Sequence, residues 1–341
     1  MERKLKPELS QLKVLTILSV LSVAFGVLSA FFGDLMICAA GALLAAVIVF
    51  EQNKRKIFSI ATSVVLVISN IICFVPFGTF SLYAPEAIAL AFIIALTFKY
   101  NFRKSTVAAL LTATAVFFTL LTLIAFPMIE KLSFNFDAVK EFYTQMFESA
   151  RADFISGVEK MLSSVSYHNQ TAEQIMSTED IGAVFDSFVN SLVSVVVIIG
   201  FLISGIALKI FSAVTNAISD NSVKHDEWRF TTTSLFAYFY IVLFIISTFI
   251  GLQSDAFSLT VINLYNIFMF VYAYVGLRAV YSMLRARKSF LFTVLILALA
   301  FMFLSVMSVQ LLSTIGAAMT IITNKFSPDG EIPANEENKN Q

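Results

Sequence analysis

The 341-residue sequence is poor in charge, and that shortage excludes several classes of protein. Charged residues make up 13% of the chain, whereas soluble domains carry about 25%. The formal net charge is zero, so the chain lacks the basic excess that nucleic-acid-binding proteins use. We therefore predict neither an ordinary soluble domain nor a nucleic-acid partner.

Cysteine and histidine are also scarce, with two residues of each. Cys38 and Cys73 lie inside apolar runs, which is typical of small buried side chains rather than of a disulfide or a metal pair. His168 and His225 fall on opposite sides of the membrane that the sequence predicts. The sequence therefore predicts no metal site and no bound cofactor.

The sequence has no recognisable catalytic motif. It contains no Gly-x-x-x-x-Gly-Lys-Ser/Thr loop, no His-Glu-x-x-His, no Gly-x-Ser-x-Gly and no paired-cysteine spacing. We predict that the protein is not an enzyme and that any energy from ATP comes from another chain. Asp34, Glu86 and Asp255 are assigned to the outer ends of predicted helices, which leaves no carboxylate at mid-membrane and argues against a proton-coupled transporter.

Apolar residues, by contrast, are abundant. They make up 58% of the chain, with 36 phenylalanines and a mean hydropathy of +0.84. About 20 apolar residues cross a bilayer as a helix, because lipid leaves no other way to satisfy the backbone. We predict an all-α, polytopic transmembrane helical bundle with about nine spans. They are residues 14–32, 35–50, 57–76, 84–98, 105–128, 187–212, 231–251, 258–281 and 289–311.

The basic residues predict how the bundle is oriented. With the N-terminus in the cytoplasm, 17 of the 23 lysines and arginines fall in cytoplasmic segments. Positive charge concentrates on that side of a membrane. We therefore expect a lipid bilayer to surround the protein, with the N-terminus on its cytoplasmic side.

One long polar stretch divides the chain into domains. We predict a first membrane half at 1–128, a helical extracytoplasmic insert at 129–186, a second membrane half at 187–326 and a polar, disordered tail at 327–341. Within the insert, Ser177 with Asp180 resembles a capping box that starts a helix. Thr171 with Gln174 has the same spacing.

The insert also contains one apolar helical stripe. Its members recur every three or four residues, and they are Val139, Phe142, Tyr143, Met146, Phe147, Ala150, Phe154, Val158, Met161 and Leu162. One interpretation is a hairpin that packs on the bundle or in the outer headgroup layer. The other is a lid over a solute site.

A carboxylate and an aromatic ring at the start of the fourth span form a candidate solute site. Tyr83 and Glu86 flank Pro85, which favours the first turn of a helix. Glu86 either complements the helix dipole at the rim or faces a cavity open to the outside. The second alternative suits a cationic or aromatic-amine solute.

Neutral polar side chains inside spans complete the candidate site. Asn70 lies in the third span, and Asn263 and Asn266 share a face of the eighth. Hydrogen bonds between helices are the alternative role for all three. Small residues in the first two spans permit close helix packing, within the bundle or with a partner subunit. They are Ser22, Gly26, Ala30, Gly41, Ala42, Ala45 and Ala46.

Several of these features together resemble a bacterial family. The nine spans, the basic run from Lys99 to Lys104, the outer insert and Asn263-Leu264-Tyr265 leading to Gly276-Leu277 resemble the YybS-like membrane proteins of low-GC Gram-positive bacteria. The first half is similar to the solute-binding subunits of energy-coupling-factor vitamin transporters. The resemblance implies a fold for that half and no established activity.

Two functions remain open at the level of sequence. The first is a solute-binding or transport subunit that is energised by a partner. The second is a non-transporting scaffold or regulator that binds another protein through its insert or inner loops. A polar cavity open outward among spans three to six would favour the first function, and a solid bundle would favour the second.

Overall fold

The computed structural model describes residues 10–51, 56–74, 82–100, 102, 104–164, 177–219, 233–250, 256–285 and 307–323. Every element in those ranges is an α-helix, which confirms the predicted all-α class. The first six are α1 (Gln11–Phe32), α2 (Asp34–Phe50), α3 (Ile57–Phe74), α4 (Tyr83–Tyr100), α5 (Lys104–Glu130) and α6 (Phe136–Ser164). The others are α7 (Thr178–Asn190), α8 (Leu192–Ile218), α9 (Ser234–Ile250), α10 (Ala256–Arg285) and α11 (Met307–Thr323).

Five of these helices are long and apolar enough to cross a membrane. They contain Gln11–Ser29, Tyr83–Tyr100, Thr106–Glu130, Leu192–Ile218 and Ala256–Leu284. Four shorter apolar helices cover Leu35–Phe50, Ile57–Cys73, Ser234–Phe249 and Met307–Thr323. Most of the predicted ninth span, and the whole predicted tail, lie outside the described residues.

The helices belong to two compact units. Unit 1 comprises Met1–Val189 with Ile199–Arg229, and unit 2 comprises Asn190–Ile198 with Phe230–Gln341. The core of unit 1 contains alanine-rich faces of α2 and α4 and bulky side chains such as Phe50, Leu66 and Ile94. Unit 2 has a smaller core around Tyr240 and Tyr272.

Small residues let the helices of unit 1 approach closely. A Cβ on Gly41 would lie 3.0 Å from the Ala87 carbonyl oxygen, and a Cβ on Gly26 would overlap Leu66. The Ser22 hydroxyl donates to the Ala40 carbonyl oxygen at 2.9 Å. The predicted small-residue faces of the first two spans are therefore used inside the unit, between its own helices.

The insert folds as two antiparallel helices within unit 1. Arg151 Nε pairs with Asp186 Oδ1 at 3.1 Å, and the Thr178 hydroxyl donates to Glu159 Oε1 at 2.8 Å. The predicted box at Ser177 is confirmed, since its hydroxyl and the Asp180 carboxylate lie 2.6 Å apart and α7 begins one residue later. The Thr171–Gln174 box, His168 and the turn between the helices lie outside the described residues.

Candidate functional site

Glu86 is a carboxylate enclosed by protein. It lies in the first turn of α4, and only 5% of its surface is exposed. α4 starts where the sequence predicts because Pro85 fits a first turn, whose amide groups have no helical acceptor. Glu86 is therefore enclosed, while its place in the first turn still suits the helix dipole.

The position of Glu86 along the bundle follows from the contact of the next residue. Ala87 lies against Gly41, which is seven residues after the first residue of α2. At 1.5 Å per residue, Ala87 is therefore about 10 Å along the bundle from that end of α2. Sequence reasoning missed this depth because it assumed that every helix begins at the membrane surface.

The neighbours of its last turn show in which direction α4 runs along the bundle. Lys99 lies there, close enough to Lys56 to influence its protonation. Burial lowers the pKa of Lys56 below its ordinary value, the Glu51 carboxylate opposes that shift, and Lys99 adds to it. Lys56 follows α2, so α4 ends where α2 ends and its Glu86 end lies towards the Gly33 turn.

Asn70 is the second enclosed polar group at this end of unit 1. It lies one turn before the end of α3, and 8% of its surface is exposed. Its Nδ2 atom is buried and has no hydrogen-bond partner. A buried amide without a partner costs about 1–3 kcal/mol, so it is a candidate for an additional polar contact.

Tyr83 completes the predicted set in unit 1. It is the first residue of α4, half-buried, and packs against the core of the unit. Because Tyr83 and Glu86 are three residues apart, they share one face of the helix. The structure thus brings Asn70, Tyr83 and Glu86 to the same end of one bundle.

An open apolar groove of about 420 Å³ lies between α4 and α5. Phe92, Leu110 and Phe117 line it, together with Ala89, Ile93, Ala113, Thr114 and Phe118. None of the three predicted polar residues of unit 1 belongs to its wall. Its lining is suited to lipid chains rather than to a polar solute.

Asn263 belongs to unit 2 and bonds across a helix break. α7 ends at Asn190 and α8 begins at Leu192, with Ser191 between them. Asn263 Oδ1 accepts from the Ser194 amide at 2.9 Å, and Nδ2 donates to the Asn190 carbonyl oxygen at 2.8 Å. Nδ2 also donates to the Leu259 carbonyl oxygen at 2.9 Å. Its amide therefore replaces backbone bonds that the break removes.

Asn266 is half-buried on α10, one turn beyond Asn263. The same helix contributes to a tyrosine cluster that sequence reasoning did not assemble. Tyr240 stacks on Tyr265 with ring centroids 6.0 Å apart, and its hydroxyl lies 2.6 Å from Ser313 Oγ. The sequence showed the α10 tyrosines but gave no sign that α9 and α11 supply partners.

Glu51 is another enclosed carboxylate that sequence reasoning missed. Its two oxygens accept hydrogen bonds from the Phe58 and Ser59 amides at 2.8 and 3.0 Å, and from the Ser59 hydroxyl at 2.6 Å. Lys56 Nζ donates to the Ile48 carbonyl oxygen at 2.8 Å and to that of Glu51. Glu51 thus caps the start of α3 and Lys56 the end of α2.

Within the described ranges, no group of three or more histidine, cysteine, aspartate and glutamate residues is arranged to hold a metal ion. Cys38 is buried and Cys73 is half-buried, and neither forms a disulfide within the described part of the chain.

The chain matches no protein-family model, no curated protein and no solved structure. The fold itself defines the class. Over the residues that the structure describes, the protein is α-helical, and five of its helices are long and apolar enough to cross a membrane, as expected for a membrane protein.

Proposed function

We propose that the protein is a solute-binding or transport subunit, energised by a partner, with its solute site around Glu86. The groove between α4 and α5 is apolar and is not the outward polar cavity that this function predicts. The observation that carries the proposal is instead the enclosure of the Glu86 carboxylate in an apolar bundle, with 5% of its surface exposed. An ionisable side chain inside a membrane span costs about 2.5–3.5 kcal/mol on insertion scales. A functional role is therefore considered for such residues before a purely structural one.

The neighbouring residues indicate a class of solute. The Glu86 carboxylate favours a positive group, and the ring of Tyr83 on the same helix face favours a cation or an aromatic amine. Asn70 Nδ2, which lacks a hydrogen-bond partner, is available to donate to an acceptor on the solute. Asn263 and Asn266 stay predictions for a site in unit 2, with Asn263 already bonded to backbone groups.

The membrane arrangement is part of the proposal. We infer about nine spans, a cytoplasmic N-terminus, a bacterial plasma membrane and an insert on the outer side. The bias of 17 of 23 basic residues supports this orientation. Membership of the YybS-like family and the absence of enzymatic activity belong to the same hypothesis.

The second candidate is a scaffold or regulator that binds another protein. The paired helices α6 and α7 favour it, because exposed Met161 and Val184 remain on a mostly polar hairpin. A protein partner would cover such side chains.

Purification from native membranes tests the first candidate. Mass spectrometry of the wild-type protein should recover a small molecule, and Glu86→Gln should weaken its binding about tenfold, equivalent to about 1.4 kcal/mol. The melting temperature of Glu86→Gln in detergent should stay close to that of the wild type. Glu148→Gln, at an exposed position of α6, is the matched control and should retain the ligand.

The opposite pattern would favour the scaffold. If native membranes yield no ligand and Glu86→Gln lowers the melting temperature, Glu86 serves only to stabilise the start of α4.

A further inference from the structure

A short elbow, Lys131–Asn135, connects α5 to α6 and has a fixed conformation. The Ser133 amide donates to the Met128 carbonyl oxygen at 3.0 Å, and the Leu132 amide to that of Ile129 at 3.2 Å. This pair of bonds is a Schellman motif. In that motif the first residue after the helix C-cap has a positive φ and is usually glycine. Here that residue is Leu132, with φ 49°.

Side-chain contacts hold the other end of the elbow. Asn135 Oδ1 accepts a hydrogen bond from the Ala138 amide at 2.8 Å and so caps α6. Lys131 Nζ lies 3.2 Å from Glu141 Oε1, so the charge of the elbow is paired. The direction of the elbow is therefore set by backbone and polar contacts and needs no apolar core.

Three large apolar side chains are nevertheless exposed here, two in the elbow and one at the first residue of α6. Leu132 is 85% exposed, Phe134 82% and Phe136 73%. We call these three residues the apolar elbow. A leucine with positive φ is strained relative to glycine, and here 85% of the surface of Leu132 stays exposed.

The apolar elbow continues an exposed apolar surface of α5. α5 contains the candidate span Thr106–Glu130, and the elbow begins at the next residue. Exposed apolar side chains lead along the last turns of α5 towards it, namely Leu120, Leu121, Leu123, Ile124 and Ile129.

We propose that the apolar elbow inserts into the lipid bilayer at the boundary between headgroups and acyl chains, at the end of α5. The position fits, because α5 reaches that boundary when it crosses the membrane. The chemistry fits too, since leucine and phenylalanine partition into this region and the adjacent lysine is neutralised by Glu141.

Tryptophan quenching in vesicles tests this insertion. Trp228 is the single tryptophan of the chain, so the background is Trp228→Phe, and the probes are Phe134→Trp and, separately, Leu132→Trp. Each is reconstituted in phosphatidylcholine vesicles with acyl chains that are plain or brominated near the headgroup. Glu148→Trp, at an exposed position on the polar side of α6, is the control.

Bromine should quench the fluorescence at positions 134 and 132 at least twofold, while iodide in the buffer quenches only position 148. If iodide quenches positions 134 and 148 alike and bromine quenches neither, the elbow lies in water and the proposal fails. If both quenchers leave positions 134 and 132 unaffected, protein covers the elbow, and the proposal fails equally.

Discussion

At the scale of single residues, two glycines determine how α10 and α11 pack in unit 2. A Cβ added to Gly276 would overlap the Leu312 carbonyl group, and one added to Gly316 would overlap that of Tyr272. The obstacle is backbone in both cases, so no side chain can move aside. α11 accordingly runs through Gly316 as a continuous helix.

We expect Gly276→Ala to destabilise unit 2 by about 1–3 kcal/mol, because the added methyl group overpacks this crossing. Thermal unfolding of the detergent-solubilised protein measures the loss. Gly157 in α6 has nothing within 4 Å of an added Cβ. Gly157→Ala should therefore stabilise its helix by about 0.5–1 kcal/mol. Equal melting temperatures for the two variants would show that the glycines are not in backbone contact.

At the scale of elements, the start of α7 depends on one reciprocal cap. The Asp180 amide donates to Ser177 Oγ at 3.1 Å, while the Ser177 hydroxyl donates to the Asp180 carboxylate. The hydrogen bonds from Ser177 hold the pKa of Asp180 below its ordinary value of 3.8. A carboxyl with a lowered pKa stabilises the fold above the ordinary value and loses that effect as the pH falls through the lowered one.

We expect Ser177→Ala to raise hydrogen exchange of the first α7 amides about tenfold near neutral pH. Acidification through the lowered pKa of Asp180 should produce the same increase in the wild type but little further change in the variant. Ser149→Ala, on the exposed side of α6, is the control. Unchanged exchange in Ser177→Ala would mean that tertiary contacts alone hold α7.

Substitutions at two neighbouring residues test whether α6 docks through its apolar stripe. Phe147 stacks on Tyr143, with ring centroids 6.1 Å apart, and the Tyr143 hydroxyl donates to the Leu123 carbonyl oxygen of α5 at 2.7 Å. Phe147→Asp places a charge in this contact and should cost about 1–3 kcal/mol. Glu148 is exposed, so Glu148→Lys should stay within about 0.5 kcal/mol of the wild type. Similar losses at both positions in thermal unfolding would rule out docking through the stripe.

At the scale of the whole molecule, the sequence predicts the bounds of the helices better than the contacts between them. Apolar run lengths located seven of the helices within a few residues, since hydrophobicity alone determines where a helix can enter lipid. The sixth apolar run, 187–212, is instead divided between α7 and α8. The break at Ser191 escaped prediction, because Asn263, 72 positions away, supplies its hydrogen bonds.

The candidate site was likewise predictable only where its residues are close in sequence. Glu86 and Tyr83 were identifiable as a pair because they are close in sequence, and Pro85 marks the start of their helix. The depth of Glu86 depends on where α4 contacts Gly41 of α2, and no local pattern encodes that register. Glu51 was missed because its acceptor role becomes visible only when α2 and α3 are adjacent.

The central claim is that the chain crosses the membrane with the Glu86 end and the insert outside. Labelling of single cysteines on intact cells tests it most directly. In a background without Cys38 and Cys73, a membrane-impermeant maleimide should label Ser149→Cys. It should label Ser289→Cys only after the cells are permeabilised. Labelling of Ser289→Cys but not of Ser149→Cys on intact cells would contradict the orientation, and with it a solute site open to the outside.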